Sequence, residues 1–218
     1  VIYAGGGKDS IGGDSGNNKI YSQTDDSILK SPKSGRNTVV TVELKGNPGG
    51  TSVLINGSAE FRERVEADLE MMRSSPVGRQ MLEGFDDSFK KDKVTVTLQS
   101  LDELNGYADW ENRTKPGKPQ PIMNPVTGAK GTPNNATISY NPALMPTFDF
   151  AGEPSVETTP NLVLFHEMAH AYDFTHGTFI AEMYRGNDTI DKNNIRVGER
   201  VAVGLPIDND ANPKTTEQ

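Results

Sequence analysis

His166-Glu167-Met168-Ala169-His170 is the stretch that decides how this chain is read. The chain has three histidines, and His166, His170 and His176 all fall in this one region. Residues i and i+4 share a helix face, so His166 and His170 can occupy two corners of one tetrahedral metal site. Glu167 follows the first histidine directly, which sets its carboxylate beside the open position of such a site as a general base. Zn2+ is the ion this H-E-x-x-H spacing suits.

The flanks predict a helix. Pro160 suits the first helical position with Thr159 as N-cap, Leu162, Val163, Leu164 and Phe165 lead into the motif, and Gly177 offers a stop.

Zinc of this kind needs a third protein ligand. His176 completes His166-Glu167-x-x-His170-x-x-Asp173-x-x-His176, which matches the spacing of metzincins except that Asp173 stands where they have glycine. Glu199 lies in residues 195–205, read as a short helix ending at glycine, the arrangement of gluzincins. Asp173 shares the histidine face and is better suited to accept a hydrogen bond from a ligand imidazole than to bind metal. Tyr140, Tyr172, Tyr184 and His176 are the candidates for stabilising an oxyanion.

Composition bounds the rest. The 218 residues suffice for one sizeable core with an appendage, and 22 Gly with 14 Pro predict long irregular loops. A net charge of −8 without a basic stripe argues against a nucleic-acid partner. No apolar run reaches the roughly 18 residues of a membrane span, and no signal peptide is evident. With no cysteine, disulfides and thiolate ligands are excluded. The chain opens at Val1 and ends at Gln218 without a structured stop, and is read as part of a longer polypeptide.

Ile2, Ile11, Ile20 and Leu29 recur every nine residues, as do Gly7 with Gly16 and Asp9 with Asn18. Residues 1–30 thus resemble degenerate RTX nonapeptides, whose glycines turn a parallel β-roll and whose aspartates bind Ca2+. The alternative is a flexible linker. Calcium binding by this piece alone is not expected.

Residues 37–218 are expected to form the second domain. Residues 38–44 and 52–55 read as a hairpin across Gly46-Asn47-Pro48-Gly49-Gly50. Residues 58–73 carry a Phe61, Val65, Leu69, Met72 stripe and predict a helix. A second helix opens at Pro76 and stops near Gly84, and residues 93–99 predict a strand. Residues 105–132 read as a loop near the cleft. Residues 135–140 read as a strand in an edge position, where an extended substrate could add by backbone pairing.

The run from His166 to Asp173, the downstream Gly177, the segment Glu199-Arg200-Val201-Ala202-Val203-Gly204-Leu205 and the terminal Thr216-Glu217-Gln218 together resemble the M91 peptidases. Ile138-Ser139-Tyr140-Asn141-Pro142 shares the resemblance, which covers roughly residues 58–218. It implies an α+β, zincin-like metallopeptidase with a small mixed or antiparallel sheet packed on helices that include the H-E-x-x-H helix. It implies one Zn2+ held by His166, His170 and Glu199; His176 is not part of the family pattern and stays the alternative third ligand on its metzincin spacing. It further implies a bacterial protein, secreted or translocated into a target cell, that cleaves proteins of a host or competitor. The competing readings are a metzincin-type protease and a module that binds zinc or calcium without turnover.

Overall fold

The computed structural model describes residues 2–13, 15–29, 35–44, 49–103, 106–145, 147–148, 156–184 and 195–205. They fall in two compact units, residues 1–52 with 57–87 and residues 53–56 with 88–218.

The first unit opens with short strands: Ile2–Tyr3 (β1), Ser10–Gly12 (β2), Lys19–Ser22 (β3), Ser27–Leu29 (β4) and Thr38–Thr41 (β5). All pair in parallel. β1 meets β3 with Ile2 opposite Ile20, β2 meets β4 with Ile11 opposite Ile28, and β3 meets β5 with Ile20 opposite Val39. Each strand therefore pairs with the next but one along the chain. Ile11 and Ile20 are buried, and Tyr3 stacks on Tyr21 at 4.9 Å. Polar side chains tie the turns. Gln23 Nε2 donates to the carbonyls of Gly5 and Gly7, and Asp26 accepts the backbone N–H groups of Asp9 and Gln23.

The predicted hairpin does not form. β5 pairs with β3, whereas Val53–Asn56 (β6) pairs in parallel with Val96–Ser100 (β7). A β-branched run specifies a strand but not its partner, and a parallel pair needs a long crossover. Two helices fill that crossover, Ala59–Ser74 (α1) and Pro76–Asp92 (α2). Ser58 caps α1 by accepting the Phe61 N–H, and Phe61, Val65, Leu69 and Met72 are buried as the stripe predicts. α2 runs through Gly84 rather than stopping there. A mid-helix glycine costs only about 1 kcal/mol, and Leu82 and Phe85 on either side of it are almost fully buried. The helix ends at Lys93, whose φ is 60°.

The second unit is built on a mixed four-stranded sheet in the order β6-β7-β9-β8, where Gly106–Trp110 is β8 and Ala136–Tyr140 is β9. β6, β7 and β9 are parallel, and β8 runs antiparallel to β9. Two expectations change here. The stretch read as a loop over 105–132 contains β8, and β9 is an interior strand paired on both sides. β8 is the edge. Thr147–Phe148 (β10) and Val156–Glu157 (β11) form a small antiparallel pair. Pro160–His176 (α3) packs on β8 and β9, and Val197–Ala202 (α4) packs on α3. Val96, Leu98, Ala136 and Ile138 of the sheet and Leu164, Met168 and Ala171 of α3 are at most 1 % exposed. The class is α+β. No helix among the described residues is long and apolar enough to cross a membrane. Residues 206–218, with Thr216-Glu217-Gln218, lie outside the described residues.

Candidate active site

α3 carries the site, and its ends are set locally. Pro160 occupies the first turn, where a missing N–H costs nothing. Thr159 is extended, but its side chain makes no cap bond. At the other end Gly177 has φ 66°, and the Gly177 and Thr178 N–H groups both donate to the Asp173 carbonyl. Only glycine enters that left-handed turn freely, and a methyl on it would strike the Gly131 carbonyl.

His166 and His170 lie one turn apart with Nε2 atoms 3.1 Å apart and rings nearly perpendicular. Glu199 Oε2 lies 3.1 Å from His166 Nε2 and 3.3 Å from His170 Nε2. Two imidazole nitrogens and a carboxylate oxygen thus converge. Among the described residues they are the group whose ligand atoms could hold one metal ion. Tetrahedral zinc with bonds of about 2.0–2.1 Å separates its ligands by about 3.3 Å, so the donor set fits such an ion in chemistry and spacing.

Glu199 reaches α3 because α4 is tied to a strap just after it. The Val197 N–H donates to the Glu182 carbonyl at 3.0 Å, the Tyr184 N–H to the Ile195 carbonyl at 2.9 Å, and Met183 bridges Arg196. Ile180, Tyr184 and Val197 form a buried cluster beneath the strap.

Glu167 is buried beside the histidines and accepts a hydrogen bond from the backbone N–H of Ala108 on β8. Burial raises its pKa above the ordinary carboxylate range. His166, His170 and the Ala108 N–H oppose the rise, and the Glu199 charge adds to it. Glu199 shifts the other way: hydrogen bonds from His166 and His170 hold it far below that range, against burial. Burial pushes His170 down, but the Glu199 hydrogen bond and charge, with Glu167 and Asp173, outweigh it, and its pKa is raised.

The remaining candidates are engaged elsewhere. His176 stacks on Tyr172 at 3.8 Å, its Nδ1 lies 2.8 Å from the Tyr172 carbonyl, and its Nε2 lies 3.1 Å from Ser88 Oγ. It is not among the convergent ligand atoms. Asp173 accepts from Thr178 Oγ1 at 2.6 Å, which braces the helix end. Tyr140 is fully buried in β9. Tyr184 is buried with its ring 3.9 Å from the Arg200 guanidinium.

Gly106 and Ala108 escape a reading of the sequence. A Cβ on Gly106 would meet Val163 Cγ1 at 3.1 Å and Glu167 Cγ at 3.3 Å, so the missing side chain lets α3 approach the strand. Trp110, at the end of the same strand, packs on Phe174 and Phe179 at 4.8 and 5.3 Å. Tyr107 and Trp110 are the only residues of Gly106-Tyr107-Ala108-Asp109-Trp110 that favour a strand, so the signal in the sequence is weak.

The sequence profile of the Peptidase M91 family, described as effector protein, matches residues 50–218. This chain belongs to the Peptidase M91 effector family. Its matched region begins after β5 and takes in the sheet of the second unit, α3 and α4. No curated protein matches the M91 chain in sequence. Among solved structures it is similar to one titled the light chain of botulinum neurotoxin serotype HA, with 13 % identity and a TM-score of 0.41. The likeness covers 60 % of this chain and 38 % of that one, so the chain spans well under half of that structure's length.

Proposed function

We propose that this chain is a zinc-dependent endopeptidase of the effector type, secreted or translocated into a target cell, that cleaves proteins of a host or competitor. The observation that carries the proposal is the convergence of His166 Nε2, His170 Nε2 and Glu199 Oε2 beside the buried carboxylate of Glu167. The family supports a peptidase of effector character. Zinc, when bound by His166, His170 and Glu199, supplies Lewis acidity to a scissile carbonyl and to the attacking water.

Glu167 takes a proton from that water and returns it to the leaving amine. The Ala108 N–H fixes the carboxylate for this task, and the raised pKa brings Glu167 nearer the neutral pH at which it must exchange protons. The substrate adds as an extended strand to the outer edge of β8, the sheet edge that runs beside Glu167.

The metzincin alternative draws no support from His176, whose ring nitrogens face Tyr172 and Ser88. The parallel pairing of β1 to β5 supports reading residues 1–30 as a degenerate RTX-like roll, continued by β5. Among the described residues, the oxygens of its turns are largely engaged by the chain itself. Gln23 Nε2 donates to the carbonyls of Gly5 and Gly7, both carboxylate oxygens of Asp26 accept N–H groups, and Asp9 Oδ2 is buried without a partner.

Elemental analysis and a peptidase assay with Glu167→Gln test the proposal together. The variant should keep one zinc per chain and lose at least about a hundredfold in kcat. Zinc-free protein under metal-replete conditions, or full activity of Glu167→Gln, would overturn it. Comparing new N-termini in cells exposed to active and Glu167→Gln protein would then give the substrate.

A further inference from the structure

Arg200 follows Glu199 directly, yet it is only 2 % exposed while the Glu199 side chain stays 43 % exposed. A guanidinium is rarely buried without a specific task. Its carbon lies 3.9 Å from the centroid of the Tyr184 ring, close enough for a desolvated cation–π stack. Tyr184 closes the strap that receives α4: its N–H donates to the Ile195 carbonyl, and its ring packs with Ile180 and Val197.

A helix of six residues has too few internal hydrogen bonds to hold an orientation unaided. A side of α4 next to its ligand must therefore be anchored. Neighbours along a helix point about 100° apart. Driving Arg200 inward turns Glu199 out of the core toward α3, where its carboxylate meets both histidines.

We infer that Arg200 and Tyr184 form a clamp that orients Glu199 toward His166 and His170, and so act as positioning residues for the metal site. The inference rests on the proposed metal site and assigns Tyr184 its ring, not its hydroxyl, as the working part. An oxyanion donor would need the hydroxyl, whereas a clamp needs only the aromatic face.

The test measures zinc affinity by competition with a chromophoric chelator, using the full chain and monitoring folding by circular dichroism. Arg200→Met should weaken zinc by at least about tenfold, and Tyr184→Leu should do the same. Tyr184→Phe keeps the ring and should stay within about twofold of the wild type in zinc affinity. In a Glu199→Gln background, Arg200→Met should have almost no further effect, because the clamp then orients a weakened ligand. Wild-type affinity in Arg200→Met or in Tyr184→Leu would overturn the clamp. So would an undiminished loss in the Glu199→Gln background, since that marks a fold effect only. If Arg200→Met does not fold, the Tyr184→Leu and Tyr184→Phe pair decides. Failure of the wild type to bind zinc would overturn the site itself, a result distinct from zinc binding that ignores Arg200 and Tyr184.

Discussion

Gly106→Ala is the sharpest test of how β8 serves the site. The glycine has no positive φ, so the backbone accepts alanine without conformational strain. The added methyl would lie 3.1 Å from Val163 Cγ1, 3.3 Å from Glu167 Cγ and 3.4 Å from the Ser139 carbonyl. Ordinary contact begins near 3.4 Å, so the two side chains of α3 must give by a few tenths of an ångström while the strand stays. Mild overpacking costs about 1 kcal/mol, which in a domain of this size lowers Tm by roughly 2–4 °C. The effect on catalysis should be larger in proportion. A misplacement of about 1 Å can cost a hundredfold, so moving Glu167 by a fraction of that should lower kcat about five- to tenfold. The ligand atoms of His166, His170 and Glu199 are not touched, and zinc affinity should stay within about twofold. Initial rates on a quenched fluorescent peptide library, thermal melts and zinc competition measure the three quantities. An unchanged kcat would refute the contact between Gly106 and the base, and a large loss of zinc would refute its confinement to Glu167.

His176→Ala should leave zinc affinity within about threefold, whereas Glu199→Ala should weaken it at least about a hundredfold by chelator competition; the reverse order would restore the metzincin arrangement. Gly177→Ala meets both the left-handed φ and the Gly131 carbonyl. It should cost at least about 2 kcal/mol and lower Tm by about 4 °C or more in a thermal melt. Asp86 governs an acid limb of stability. Burial opposes its charge, but donors from Ser52 and Thr51 outweigh it, and its pKa lies below the ordinary 3.8. A depressed carboxylate contributes stability that is complete above the unfolded value and is lost as pH falls through the folded one. Urea unfolding between pH 5 and pH 2 should therefore show a steeper decline for the wild type than for Asp86→Asn.

The helix that holds the motif is legible because its signals are local. Thr159, Pro160 and Gly177 bracket it, and the i, i+4 spacing fixes the histidine face before any tertiary contact forms. The stripe of α1 is legible for the same reason. What escaped the sequence depends on partners. Thr38, Val39, Val40 and Thr41 announce a strand, but only the ladder to β3 says that it pairs in parallel with a distant strand. β8 is hidden because Gly106 and Asp109 have poor strand propensity and the segment opens a Gly- and Pro-rich stretch. The interior position of β9 follows from β8 and could not be seen without it. Gly84 misleads because the burial of Leu82 and Phe85 overrides a glycine's local preference. Glu199 is the instructive case: its distance from the histidines is compatible with a gluzincin arrangement but does not single it out, and the Val201-Ala202-Val203-Gly204-Leu205 run beside it carries the family resemblance.

Two carboxylates share this site, and their surroundings drive them apart. Glu167 comes from the face of α3 that packs against β8, where burial makes its charge costly and a single Ala108 N–H returns part of the cost. Glu199 comes from α4, is half open to water, and faces two imidazoles that favour its charge. A carboxylate held ionised at every working pH is suited to ligate a cation but cannot shuttle a proton. A carboxylate whose pKa rises toward neutrality is suited to the shuttle. This contrast accords with the proposal that Glu199 is the ligand and Glu167 the base. A cation among His166, His170 and Glu199 would favour the ionised form of both carboxylates, and most strongly that of Glu199, which shares its donor set.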